Sequence, residues 1–190
     1  MPLVHLPVQS GSNKILESMN RKHTIEEYLL IIKKLKKADS NIQFSSDFII
    51  GYPGETSEDF KKTLELLKEI RFIGSYSFIF NARPGTPSYS LKKIDINIAK
   101  ERLNTFQNIS KKIKTDYRNT FLKKTIPVLF ENETKNKNKY FGRDECFNSV
   151  IVESSENLTG KIKNIKINKI NQNTLFGEIN TNLTHKNFAA

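Results

Sequence analysis

Three polar residues stand where apolar stretches reach their ends or are interrupted. Gln9 follows the run Leu3–Val8, Arg21 lies 12 residues further on, and Asp47 lies 26 residues beyond Arg21, inside "IQFSSDFIIG". An amide, a guanidinium and a carboxylate brought together could hold a ligand with hydroxyls and charged ends, as nucleosides and amino acids have. Asp47 is the most telling of the three. A carboxylate in an apolar segment is costly to bury alone, so it needs a partner from the protein or from a ligand. Spacing leaves equal room for a structural ion pair. Two turns add to the set. In "GYPGET", Gly51, Pro53 and Gly54 allow a ligand close to the backbone. In "ARPGTP", Arg83 could meet a phosphate or carboxylate bidentately, or brace its own loop with a salt bridge.

The elements that must position these residues are legible from periodicity. Leu3–Val8, Ile42–Gly51 and Ile73–Ala82 are rich in β-branched or aromatic residues and end at turns, as buried strands do. Two helices lie between them. "TIEEYLLIIKKLKKA" opens with Thr24 as cap and Glu27 three residues later, a capping box, and lines one face with Ile25, Tyr28, Leu29, Ile32 and Leu35. "TSEDFKKTLELLKEI" repeats the scheme with Ser57 as the expected cap and Phe60, Leu64, Leu67 and Ile70 on a face. Strand and helix in alternation predict parallel strands joined by right-handed crossovers, with ligands at the carboxyl ends of the strands. Three strands do not close a barrel and would leave two bare edges, so this region reads as part of a larger sheet.

Residues 95–122 predict one long helix, with Leu103, Phe106, Ile109, Ile113, Tyr117 and Phe121 on a stripe and a basic outer face. Such a helix connects domains or packs across an open barrel side. From Thr125 the period becomes two. Five short strands, expected antiparallel, predict a small β-barrel of the oligonucleotide-binding kind. In "GKIKNIKINKI", isoleucines interleave with Lys161, Lys163, Lys166 and Lys169, which reads as a core face backed by a cationic RNA-binding stripe or by an ordinary solvated one.

Charge is uneven. Residues 1–90 hold 12 Lys/Arg against 10 Asp/Glu, and residues 91–190 hold 19 against 10, so most of the net +11 belongs to the second half. That asymmetry points to a polyanion for the second half. The single cysteine, Cys146, excludes an internal disulfide and fits a reducing cytoplasm. No apolar run is long enough for a membrane helix and no signal peptide is expected. His5, His23 and His185 are scattered without metal-ligand spacing, and no Ser/His/Asp arrangement is visible.

"HLPVQSGSNKILESMNRKHT", "SSDFIIGYPGETSEDF" and "YSFIFNARPGTP", in this order and spacing, resemble the radical S-adenosylmethionine (SAM) methylthiotransferases. "YSFIF" followed by "RPGTP" is most similar to the branch that modifies prenylated adenosine in tRNA. The resemblance implies residues 1–94 as the carboxyl-terminal half of a radical SAM barrel and 95–122 as a connecting helix. It implies 123–183 as a TRAM-like RNA-binding barrel and 184–190 as a tail. It further implies that Gln9, Arg21 and Asp47 contact SAM, with Gly51, Pro53 and Gly54 in the adjoining turn. Arg83 matches the third strand-end motif. The implied activity adds a methylthio group to C2 of N6-dimethylallyladenosine beside the anticodon. It uses a 5′-deoxyadenosyl radical from SAM at one 4Fe–4S cluster and sulfur carried by a second. The family's cluster cysteines lie ahead of these motifs, and a cluster needs several thiolates. With Cys146 alone, the chain is expected to be the carboxyl-terminal part of such an enzyme, paired with a missing amino-terminal half and inactive alone. Two alternatives stand beside this reading: a stand-alone RNA-binding module, and a methylthiotransferase acting on a ribosomal protein.

Overall fold

The computed structural model describes residues 1–180, which divide into two compact units, Pro2–Lys114 and the segment from Thr115 onward. Positions 181–183 of the expected RNA-binding segment, the tail 184–190 and His185 lie outside the described residues.

The first unit is a parallel sheet in the order β1 (Leu3–His5), β2 (Gln43–Ile50), β3 (Gly74–Ile79), with α1 (Asn13–Ser18), α2 (Ile25–Ala38) and α3 (Ser57–Ile70) in the connections. Alternation along β2 sorts its side chains by face. Phe44, Ser46, Phe48 and Ile50 are buried, while Asp47 and Ile49 stay partly open. Phe48 is the hub of the covered face, with Phe72 at 5.5 Å and Phe106 of α4 (Ile96–Asn119) at 4.7 Å between ring centroids. Burying such rings fully is worth about 1.5–3 kcal/mol each. The other face carries His5, Asp47, Tyr76 and Phe78, and the last two are 57% and 60% exposed.

Both long connecting helices start from capping boxes. Thr24 accepts from the Glu27 N–H, and the Glu27 carboxylate accepts from the Thr24 N–H. At α3 the cap is Thr56, not Ser57, because Asp59 stands three residues after Thr56 and can return its hydrogen bond. Helix α4 begins at Ile96 and ends at Asn119, inside the expected span, and Ala99, Phe106 and Ile113 are its buried positions in the first unit.

In the second unit, β4 (Thr125–Glu133), β5 (Lys139–Arg143), β6 (Ser149–Glu153), β7 (Ile162–Ile170) and β8 (Thr174–Ile179) close a barrel in the order β4-β5-β6-β8-β7. Four of its pairings are antiparallel, but β6 and β8 run parallel, which corrects the all-antiparallel expectation. Only a parallel partner remains for the last strand once β7 has crossed to β4. The interior holds Val128, Phe130, Tyr140, Val150, Val152, Leu158, Ile165, Ile167 and Leu175. At Gly142 and Gly177 a Cβ would come within 2.5 and 2.4 Å of the facing carbonyl oxygens of Leu129 and Lys166, so only glycine lets these strands approach so closely.

Candidate functional site

Strand β1 ends early, yet the chain rejoins the sheet at Gln9. The Gln9 N–H donates to the Asp47 carbonyl at 2.9 Å, and the Ile49 N–H donates to the Gln9 carbonyl at 2.9 Å. Gln9 is buried and has φ of 74°, a left-handed conformation that non-glycine residues adopt at a cost. Strain held in place by two sheet hydrogen bonds is characteristic of residues that present a group to a ligand. Asp47 lies next to it on the open face. Its carboxylate is 3.5 Å from His5 Nε2, and His5 Nδ1 is 2.9 Å from Ser45 Oγ. The partner that a carboxylate in an apolar run requires is thus His5, a residue that periodicity left without a role. Tyr76 pairs in register with Asp47 and meets the His5 ring edge-on at 6.1 Å.

The structure joins Gln9 and Asp47 directly. Arg21 is not part of that contact: it is exposed beyond α1, with its N–H closing on the Leu16 carbonyl. Arg83 is also exposed, in a turn where its carbonyl accepts from both the N–H and the hydroxyl of Thr86.

Two loops beneath these tips are tied into one polar network. Gly11 lies against α3 so closely that a Cβ would meet Lys62 O and Thr63 Cα at 2.6 Å. The Ser12 hydroxyl donates to Asp59 Oδ1 at 2.7 Å, and the Thr56 hydroxyl donates to Asp59 Oδ2 at 2.7 Å. Lys14 Nζ reaches both Asp59 Oδ2 and the Gly54 carbonyl. Burial works against the Asp59 charge, but these hydrogen bonds prevail and hold its carboxyl well below the usual range. Gly51, at φ 74°, donates its N–H to Glu55 Oε2 at 3.1 Å, and a Cβ there would meet the Ala99 Cβ at 2.9 Å. Glu55 is paired with Arg102 of α4 at 2.7 Å, and Arg102 also donates to the Glu55 carbonyl at 3.0 Å. Burial pushes the Glu55 carboxyl up, against the opposing hydrogen bonds from Arg102 and Gly51. Pro53 is buried and Gly54 exposed at φ 81°, so the turn is braced from α4 on one side and from Lys14 on the other. The pairing of Glu55 with Arg102 spans 47 residues, which periodicity does not specify, and it takes Arg102 out of the exposed basic face expected of its helix; the Thr56–Asp59 cap, by contrast, is local.

The lysines of β7 do not form one stripe. Lys161 precedes the strand, and Lys163 shares the inward parity of Ile165 and Ile167. Ile162, 68% exposed, shares the outward parity of Lys166. A bulge between Ile167 and Lys169 restores Lys169 to the outside, so Lys166 and Lys169 are the exposed pair within the strand. Cys146 is half-buried and burial raises its thiol pKa, so it is not disposed to act as a thiolate ligand. Among the described residues no group of three or more His, Cys, Asp or Glu side chains is placed to hold a metal, and no helix is long and apolar enough to cross a membrane.

Strands β1 and β2 of the parallel sheet, and the whole of the closed five-stranded barrel, fall within two separate family matches. Residues 1–67 match the radical SAM superfamily and residues 120–179 match the TRAM domain. Over 181 residues, 94% of this chain, the sequence is 51% identical to a tRNA-2-methylthio-N(6)-dimethylallyladenosine synthase of Pelagibacter ubique. Proteins of the same name from Buchnera aphidicola and Wolbachia pipientis are 46% and 44% identical, each over 93% of the chain. The match bears out the resemblance to the radical SAM methylthiotransferases. The chain spans about 40% of the length of these curated relatives.

Proposed function

We propose that the chain contributes the strand-end wall and the RNA-binding barrel of a cytoplasmic tRNA methylthiotransferase. That enzyme adds a methylthio group to C2 of N6-dimethylallyladenosine next to the anticodon. The observation that carries this reading is identity of 42–51% to synthases of that name across more than nine-tenths of the chain. In this reading residues 1–94 are half of the radical SAM barrel, 95–122 connect, and 123–183 hold tRNA.

Gln9 and Asp47, adjacent on the sheet, carry donor and acceptor types that suit SAM. Gln9, whose backbone is held by the sheet, would offer its side-chain amide, Asp47 would offer a carboxylate to ribose hydroxyls or to an ammonium, and Arg21, outside the Gln9–Asp47 contact, would offer a guanidinium to a carboxylate. Gly51, Pro53 and Gly54 supply close backbone. Bound SAM supplies a methyl group and the precursor of the 5′-deoxyadenosyl radical. The 4Fe–4S clusters do not fit this chain, because Cys146 is its one cysteine. Their ligands belong to another segment, the amino-terminal half of the enzyme.

The test is to express the chain alone, and together with a cluster-bearing half from a relative, in a strain lacking the modification, then analyse tRNA nucleosides by mass spectrometry. The methylthio nucleoside is expected only when both parts are present. Unmodified tRNA alongside a methylthiolated ribosomal protein would overturn the reading in favour of a protein substrate. A second reading, an RNA-binding module acting by itself, is favoured by the excess of 19 Lys/Arg over 10 Asp/Glu in residues 91–190. Tight, salt-dependent tRNA binding with no modification in either strain would support it.

A further inference from the structure

The lysines are not the most specific feature of the barrel surface. Tyr140 and Gly142 are buried, so Phe141 and Arg143 point outward from β5. The Arg143 guanidinium sits 5.2 Å from the Phe141 ring centroid and 6.0 Å from that of Phe147, in the loop joining β5 to β6. Leu129 of β4 pairs in register with Arg143 and is 47% exposed, so the guanidinium has apolar neighbours on the outer surface beside the Glu131 carboxylate.

Phe147 is held in this position against its own preference. Its φ is 60°, a region costly for a bulky side chain and cheap for glycine or asparagine, yet its ring is 48% exposed. Core packing does not account for an exposed ring. The loop that imposes the conformation is tightly fastened. Buried Asp144 accepts from the N–H groups of Cys146 at 2.9 Å and Asn148 at 2.8 Å, and the Asn148 amide donates to its second oxygen at 2.7 Å. Strain maintained by such a frame, with a ring presented to solvent, is the pattern of a recognition residue.

We propose that Phe141, Arg143 and Phe147 form a stacking platform for one unpaired nucleobase of the RNA that this barrel binds. The inference rests on the tRNA reading above and deepens it. Every base has a π-face, and aromatic rings with an arginine between them take it by stacking and cation–π contact. The second and third strands of such barrels, here β5 and β6, are the ones that meet oligonucleotides. Charge favours a base over a phosphate at this point. Arg143 Nε is already paired with Glu131 at 2.9 Å, and that carboxylate repels a phosphate but can accept from the amino group of a base. Phosphates are left to exposed lysines such as Lys137, in the turn before β5, and Lys166.

The test uses the 190-residue chain and fluorescence anisotropy with two labelled RNAs, a hairpin with an unpaired loop and a fully paired duplex. Wild type is expected to prefer the hairpin. Phe147→Asn and Phe141→Ala should each lower hairpin affinity by about 5- to 150-fold, the value of one stacked base. They should leave duplex binding and the salt slope unchanged. Phe141→Trp should retain affinity. Phe147→Asn suits the left-handed backbone, so its melting temperature should match or exceed wild type, which separates lost stacking from lost folding. Lys137→Gln and Lys166→Gln should do the reverse, reducing the salt slope with little discrimination between the RNAs. Hairpin affinity untouched in both phenylalanine variants, beside a normal salt slope, overturns the platform and leaves the tRNA reading standing. A wild-type chain that binds neither RNA overturns both.

Discussion

His5 and Asp47 meet across the β1–β2 pair, with Nε2 3.5 Å from Oδ2 while the other ring nitrogen is anchored 2.9 Å from Ser45 Oγ. The imidazole therefore stands next to a carboxylate that lies beside the strained backbone of Gln9.

Asp47→Ala, in the chain joined to the cluster-bearing half of a relative, should weaken the proposed SAM binding by about 10- to 100-fold, the worth of a charged hydrogen bond. His5→Ala should cost less, since it loosens Asp47 without removing it. Titration calorimetry measures both, and circular dichroism should show the fold intact. Unchanged affinity in both variants would return the pair to a structural role.

Gly11→Ala tests the contact between the first strand-end loop and α3. The added methyl would lie 2.6 Å from backbone atoms of residues 62 and 63, which cannot turn aside as a flexible side chain would. The expected cost is about 1–3 kcal/mol or more, read as a lower denaturation midpoint.

Asp59 predicts a pH dependence with a definite sign. Its folded carboxyl is held below its ordinary value of 3.8, so the unfolded chain binds the proton more readily. The stability it contributes is complete above that value and is lost as the pH falls below it. Asp59→Asn should cost about 2–4 kcal/mol at neutral pH, from lost charged hydrogen bonds and a lost cap, and the gap to wild type should narrow in acid. Urea melts at several pH values measure it. A gap independent of pH would contradict the assignment.

Arg102→Met strands Glu55, whose side chain is 1% exposed. Removing one member of a buried pair costs about 3–5 kcal/mol. Glu55 already has a raised folded pKa, and loss of the guanidinium raises it further. A raised carboxyl favours the native state while protonated and disfavours it as the pH climbs past the ordinary value. The variant should therefore be closer to wild type near pH ~5 than at neutrality. Equal deficits at both would argue that the pair is not the source of the loss.

Local patterns carried most of the fold into view, and contacts between remote residues stayed hidden. The Thr24 box was legible because its partner is three residues away. The same rule would have selected Thr56 over Ser57, since Asp59 follows Thr56 at that spacing. Parity within β7 would also have separated Lys163 from Lys166, given that Ile165 and Ile167 both point inward. His5 is different. Its pairing with Asp47 depends on the register of two strands some 40 residues apart, which periodicity does not specify. The parallel β6–β8 pair, the Glu55–Arg102 ion pair and the steric demand at Gly11 were hidden for the same reason.

The two glycines at the narrow crossings of the five-stranded barrel have a consequence for what that domain can recognise. They draw the staves together around nine buried side chains, so the described interior is given over to packing. Side chains packed inward hold the staves together, and those turned outward are left to meet whatever lies beside the domain.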